Sequence, residues 1–383
     1  MTAARAALVG IGELTPVRST SGATTLGMIA DVSRLAALDA GIEPAAIDGL
    51  LVGPQVGETP QHVPATVAEY LGLRPRMANV VDLGGASGAG MVWRAAAAIA
   101  AGMCETVLCV LANTREEPSP RSPNRNPIRE FEPPFGASGA NPTYAMIKQA
   151  HMLEYGSADA DFARIAAAAR ANALRNPAAI FHDRPASLED VLASPMIAAP
   201  LRLLEIVMPV AGGCAVIVTS PERAKSLPQT AVHLLGAGEM VTHRALSQAP
   251  SLTSGPLKPA MAQALRQAGA AAGDMNLLSL YDCYTVMVAT TLEDLGLCPP
   301  GEFGAWLAAN DLGPEGSAPL NTHGGQLGFG QPDLAGGMTH ITEAVRQLRG
   351  SATGRQIPDA RLALVTGNGA TMSEATALVL GAA

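Results

Sequence analysis

Aromatic side chains are scarce in this 383-residue chain, at 3% of the total, although apolar residues as a class reach 48%. A large core is available, but Ala and Gly must supply much of it, which favours helices and sheets packed closely around small side chains. Dense basic runs are missing too. The net charge is −8, and the nearest candidate, residues 115–129, mixes Arg with Glu, Pro and Asn and reads as a loop. That excludes the electrostatic footprint of a nucleic-acid-binding protein. Cysteine is limited to Cys104, Cys109, Cys214, Cys283 and Cys298. An odd count without metal spacing predicts reduced thiols and a cytoplasmic protein. The opening MTAARAALVGIGE has no long apolar region, and the alanine-rich run Arg94–Gly102 is too short for a bilayer. Neither a secretion signal nor a membrane span is expected.

What is present repeats. AALVGIGE (Ala6–Glu13) and AVHLLGAGE (Ala231–Glu239) are both apolar strands ending in Gly-x-Gly-Glu. Each is followed by a helical stretch closed by glycine, at Gly41 and Gly269, and then by a strand. DLGGASGAG (Asp82–Gly90) precedes a helix and the strand ETVLCVLAN; NTHGGQLGFG (Asn321–Gly330) precedes a helix and the strand RLALVTGNG. The second of these helices carries Met338, Ile341, Ala344, Val345 and Leu348 on one face. CAVIVTS (Cys214–Ser220) and EATALVL (Glu374–Leu380) close the two series. Residues 1–228 and 229–383 thus read as two copies of one α/β unit, the first interrupted by a Pro- and Arg-rich segment over about 113–206. Alternating strands and helices predict parallel strands covered by helices. Gly10-Ile11-Gly12 is a strand-to-turn feature rather than a dinucleotide loop, since Thr15 stands at the third glycine position.

Four segments carry a family resemblance: GGASGAG, YDCYTVMVATTLEDLGLC, LNTHGGQLGFGQPDLAGGMTHITEAVRQL and VTGNGATMSEATALVL. Over essentially its whole length the chain resembles the thiolase superfamily, in the branch of sterol carrier protein X and the lipid-transfer thiolase-like proteins. The resemblance implies two βαβαβαββ halves in a five-layer α-β-α-β-α arrangement, a loop region inserted in the first half, a homodimer, and acyl-CoA thioesters as substrates. Coenzyme A enters as part of the substrate, and no separate cofactor is implied.

The catalytic positions depart from that family. Its nucleophilic cysteine precedes Ala-Ser-Gly, where this chain has Gly85, and glycine cannot carry an acyl group. Its Gly-His-Pro histidine is matched by Gln331, which hydrogen-bonds but takes no proton at physiological pH. Its second cysteine falls near Thr366–Gly369, where no thiol exists. The Tyr281-Asp282-Cys283-Tyr284 run ends a predicted strand, a place where α/β folds bind ligands. With Asn321–Gly325 it resembles the thiolase-fold aldolases that cleave steroid side chains as CoA thioesters and work with an OB-fold partner protein.

Retro-aldol cleavage needs no acyl-enzyme. It needs a base for the β-hydroxyl and donors for the thioester enolate, which the glycine-rich loops at 84–90 and 324–330 are placed to supply from backbone N–H groups. Tyr281, with its pKa pulled down, and His323 are the candidate proton-transfer residues, with Asp282 beside them. Gly85, Ser87, Cys283, Tyr284, Gly325, Gln331 and Asn368 are the candidate substrate contacts. The histidines do not cluster with acidic residues, so no metal is expected. Two alternatives stay open: an acyltransferase of the acetyl-CoA acetyltransferase kind using Cys283 or Ser87, and a non-catalytic acyl-CoA or lipid-binding protein. A small OB-fold, zinc-ribbon protein is the expected partner of the lyase.

Overall fold

The structure, a computed structural model, describes residues 4–54, 61–116, 133–136 and 139–383. Positions 117–129 of the expected basic loop lie outside the described residues. The first series runs β1 (Ala6–Glu13), α1 (Thr25–Ala40), β2 (Gly49–Val52), α2 (Val63–Leu71), β3 (Met77–Val80), α3 (Ser87–Ala100) and β4 (Thr106–Asn113). The inserted segment follows with α4 (Ala140–Tyr155), α5 (Asp159–Ala173), α6 (Leu188–Ala193), β5 (Met196–Ala198) and β6 (Leu201–Arg202). After it come β7 (Gly212–Thr219) and the single turn α7 (Pro221–Ala224). The second series is β8 (Val232–Val241), α8 (Leu257–Ala268), β9 (Leu277–Ser279), α9 (Thr285–Asp294), α10 (Phe303–Ala309), α11 (Gly325–Phe329), α12 (Gly336–Arg349), β10 (Leu362–Gly369) and β11 (Glu374–Ala382).

Local chemistry sets the element ends. Thr24 caps α1 by accepting from the Gly27 N–H, and Gly41 closes it in the left-handed conformation. Gly269 and Gly350 close α8 and α12 in the same way. The repeated Gly-x-Gly has a packing cause. A Cβ on Gly10 or Gly12 would run into the Ala36 and Val32 carbonyls of α1; one on Gly236 or Gly238 would meet the Ala264 and Ala260 carbonyls of α8. Glycine is what lets each helix lie directly on its strand.

Nine strands form one sheet in the order β3-β2-β4-β7-β1-β8-β11-β10-β9. Each half pairs its strands alike. β1 and β4 flank β7 antiparallel, as β8 and β10 flank β11. β2 runs parallel to β4, as β9 does to β10. The halves join where Ala6–Leu8 pairs with Val232–Leu234. The third parallel strand survives unequally: β3 in the first half, a single bridge between Leu278 and Leu320 in the second.

Strand alternation sorts the core. Val107, Cys109, Val216 and Val218 of one flank share a cluster with Ala363, Val365, Leu378 and Leu380 of the other, filled by Met91 and Val92 of α3 and Met338 and Ile341 of α12. The opposite faces bury separately, one under α1 and α2, the other under α8 and α9 with part of the inserted segment. The result is the five-layer α-β-α-β-α stack, with α3 and α12 in the middle.

The Gly-x-Gly-Glu ends cross this middle layer. Glu13 of β1 pairs with Arg346 of α12 at 2.9 Å, and Glu239 of β8 pairs with Arg94 of α3 through two bonds of 2.6 and 2.9 Å. Each half's first strand is thereby fastened to the other half's central helix.

Candidate active site

The Tyr281 and Asn321 motifs are two sides of one construction. Past the end of β9, the Leu280 backbone is clamped by the Asn321 carboxamide, which accepts from its N–H at 2.8 Å and donates to its carbonyl at 2.9 Å. Asn321 does this from a left-handed backbone conformation that asparagine tolerates. Asp282 then turns inward and caps α11, accepting from the Gln326 N–H at 2.7 Å and the Leu327 N–H at 3.3 Å. Gly325 is required there: its φ is +59°, and a Cβ would meet the Asp282 carboxylate. The oxygen that accepts from Gln326, Asp282 Oδ1, also lies 3.3 Å from His340 Nε2, whose Nδ1 is 3.1 Å from Ser279 Oγ. Asp282, expected beside the reacting groups, is thus engaged in holding the loop. Its capping bonds also occupy N–H groups that the sequence offered to the substrate oxygen.

Tyr281 is fixed at both ends. Its backbone N–H donates to Thr366 Oγ1 at 2.9 Å, and its hydroxyl oxygen accepts from Gln331 Nε2 at 3.2 Å. Between them the ring reaches over Gly85, so closely that a Cβ at position 85 would overlap the hydroxyl. The tyrosine occupies the volume that a side chain at residue 85 would need. The expected lowering of its pKa is not found. Burial drives the phenol well above its ordinary value and the nearby Cys283 adds to this, against the weaker opposing effect of the Gln331 donor. Tyr281 is a neutral phenol in the folded protein.

The inserted segment adds a residue that the sequence did not disclose. Tyr144 of α4 stacks on Tyr284, with ring centroids 4.1 Å apart. Its hydroxyl donates to the Ala370 carbonyl at 3.2 Å and accepts from Asn368 Nδ2 at 2.8 Å. Tyr284 donates to Asn141 Oδ1 at 2.6 Å. Cys283 lies among these tyrosines, and burial pushes its thiol up to about 12 despite the opposing Tyr144 hydroxyl. A protonated thiol is a poor nucleophile. Ser87 is no better placed: its Oγ is buried and accepts from the Leu83 N–H at 2.9 Å, closing the turn into α3. The one sequence signal for Tyr144 was helical spacing, since Tyr144, Ile147, Lys148 and His151 fall on one buried face of α4.

His323 does not join Tyr281. It packs against Phe329 and His340, and the His340 ring in turn lies 6.2 Å from that of Tyr281. Burial, reinforced by His340, holds its pKa well below the ordinary histidine value, so the imidazole is neutral. The structure therefore brings Tyr281, Gln331, Gly85, Cys283, Tyr284 and Asn368 together, and sets Asp282 and His323 behind them as packing and capping residues. Among the described residues no group of three His, Cys, Asp or Glu side chains could hold a metal ion, and no helix is long and apolar enough to cross a membrane.

Residues 238–382 match the family described as thiolase C-terminal domain-like. The chain is 33% identical to the steroid side-chain-cleaving aldolase of Thermomonospora curvata, over 98% of either protein. It is 30% identical to the 17-hydroxy-3-oxo-4-pregnene-20-carboxyl-CoA lyase of Mycobacterium tuberculosis, over 92% of this chain and 93% of that protein. Among solved structures, the Ltp2–ChsH2(DUF35) aldolase superposes with a TM-score of 0.89 at 32% identity, covering 98% of this chain and 97% of that one.

Proposed function

Because the chain belongs to the thiolase superfamily, in the branch of the sterol carrier protein 2 thiolases and the steroid side-chain-cleaving aldolases, we propose that it splits the Cα–Cβ bond of a β-hydroxyacyl-CoA by a retro-aldol reaction. The observation that carries this reading is the overlap of Gly85 with Tyr281: where an acyl-bearing side chain would stand there is a phenol instead.

The chemistry follows from that phenol being neutral. It is no resting phenolate base, so it must give up its own hydrogen as it receives another. The β-hydroxyl proton passes to Tyr281 Oη and the O–H electron pair becomes the new carbonyl π bond. The Cα–Cβ pair moves into the thioester as an enolate, and the hydrogen that Tyr281 releases goes to Cα. The products are a ketone or aldehyde and the shortened acyl-CoA. Gln331 orients the phenol and, by donating to its oxygen, stabilises the negative charge that develops there as the hydrogen leaves, while Asp282, through α11, fixes the loop that carries both motifs. Gly85 provides the space, and Cys283, Tyr284, Gly325, Ser87 and Asn368 shape the wall. His323 serves as a neutral support rather than a proton carrier.

The remaining features of this reading are a cytoplasmic homodimer, coenzyme A brought in with the substrate as the sole cofactor-like group, and a small OB-fold, zinc-ribbon partner of the DUF35 kind. The division of the chain into units at 228/229 belongs to the same proposal. The partner is supported by the full-length likeness to an aldolase solved together with a DUF35 protein. The test is turnover of β-hydroxyacyl-CoA thioesters by the chain with and without that partner, followed by mass spectrometry. A carbonyl product and a shortened acyl-CoA are expected, with Tyr281→Phe slower by about 10²- to 10⁴-fold. A fully active Tyr281→Phe enzyme would remove the assignment.

A further inference from the structure

A fully buried ion pair lies next to the site and takes no part in the mechanism above. Lys148 of α4 and Glu205 are 0% and 1% exposed, and Lys148 Nζ is 2.9 and 3.0 Å from the two carboxylate oxygens. The ammonium also donates to Asp159 Oδ1 at 2.8 Å and to the Pro200 carbonyl at 3.0 Å, so all its hydrogens are engaged. Glu205 reaches further. It accepts from the Arg202 N–H and from the Thr285 hydroxyl, each at 2.9 Å.

Stability is a poor reason for such a pair. Desolvation offsets much of the attraction between the charges, and apolar side chains of the same volume often serve as well. What apolar side chains lack is direction, so they allow more than one register. Here the register matters. Thr285 directly follows Tyr284, Ile206 bridges to Tyr284, and the Val207 N–H donates to the Cys283 carbonyl at 3.3 Å. On α4, Tyr144 stands one turn before Lys148 and stacks on Tyr284. The ion pair and the ring stack therefore join the same two pieces of chain, one helical turn apart. We infer that Lys148 and Glu205 are positioning residues: they fix where α4 rests on the Cys283–Thr285 run, and so hold Tyr144 in the wall of the site. The assignment rests on the lyase reading for the reaction that this wall serves.

Removing one partner alone strands the other charge and destabilises the fold, so the test uses the neutral double variant Lys148→Met/Glu205→Gln. Its new amide still offers an acceptor to Thr285 or Arg202, and Asp159 keeps the Arg202 guanidinium at 3.6 Å. The urea midpoint should stay close to the parent's. Cleavage of a β-hydroxyacyl-CoA should nevertheless slow by about 10- to 100-fold, the effect of a shift of up to an ångström. The near-ultraviolet circular dichroism of the Tyr144–Tyr284 stack should weaken to that of Tyr144→Leu. Adding Tyr144→Leu to the double variant should lower neither reading further, because the two act as one unit. Parental turnover and dichroism in the double variant, or effects that simply multiply with those of Tyr144→Leu, would overturn the assignment. So would a midpoint that collapses together with the activity, since the pair would then serve stability alone. A stack lost in the double variant of a protein that cleaves nothing upholds the positioning and removes the lyase reading; cleavage that survives both substitutions does the reverse.

Discussion

The two halves share their strand pairing, yet both outer helices of the first meet solvent, whereas in the second only α8 does and α9 is buried. In the first half α1 and α2 leave Leu38 and Tyr70 more than half exposed. In the second half, α9 lies beneath chain contributed by the first: α5 supplies Phe162 and Ile165 to the cluster that holds Met287, Val288 and Leu292. Asn172 and Asn176, at and just beyond the end of α5, also donate to the Leu320 and His323 carbonyls at 2.9 and 3.0 Å. The site sits where this cover exists. Duplication provides a scaffold, but it is the inserted segment that makes one half different enough to enclose chemistry.

That comparison is most severely tested at the contact where the first half gives up a side chain to the second. Gly85→Ala places a methyl group against the Tyr281 hydroxyl and displaces it from Gln331. Cleavage should fall by about 100-fold or more, the usual cost of an ångström-scale misplacement. Steady-state kinetics measures this, and an alanine variant with normal turnover would show that the hydroxyl position is not critical.

A smaller effect separates the two crossed ion pairs. The Glu13–Arg346 side chains are less exposed than those of Glu239–Arg94. Glu13→Gln should therefore cost about 1–3 kcal/mol, since it leaves a largely enclosed cation with less compensation. Glu239→Gln should cost about 1 kcal/mol or less. Urea denaturation ranks the two; equal costs would mean that the halves are fastened symmetrically.

The weakest expected effect is acid sensitivity specific to the second half. His323 is held neutral in the folded chain, its pKa well below the ordinary 6.5. Below that ordinary value the unfolded chain binds a proton that the folded one does not, so stability declines as pH falls from about 6.5 toward the depressed folded value. His323→Asn should flatten this part of the stability profile. A wild-type profile with no such slope would mean that the imidazole charges freely in place.

How much of this was legible depends on which residues carried it. The Gly-x-Gly-Glu pairs announced the duplication because a close strand–helix contact and a crossing ion pair leave the same letters in both halves. Gly41 and Gly269 marked helix ends for the same local reason. The repeat reading passed over α2 and β3: the counterpart of β3 has shrunk to one bridge at Leu320, and α9, which stands where α2 does, is buried almost throughout and so shares no pattern with it. Tyr281, Gln331 and Gly85 were legible individually, but their contact spans three distant segments. The pKa direction of Tyr281 depends on burial, which no local pattern records. Tyr144 escaped because the inserted segment has no second copy.

The crossed fastening also bears on how the chain comes into being. Glu13 and its partner Arg346 are 333 positions apart. At a synthesis rate of 5–20 residues per second, the first strand waits roughly 17–67 s for the helix that pins it. During that interval the inward face of the early sheet has only α3 to shelter it and stays open to unwanted partners. Holdase chaperones acting on the nascent chain should matter more for this protein than for one whose strands are secured by their sequence neighbours.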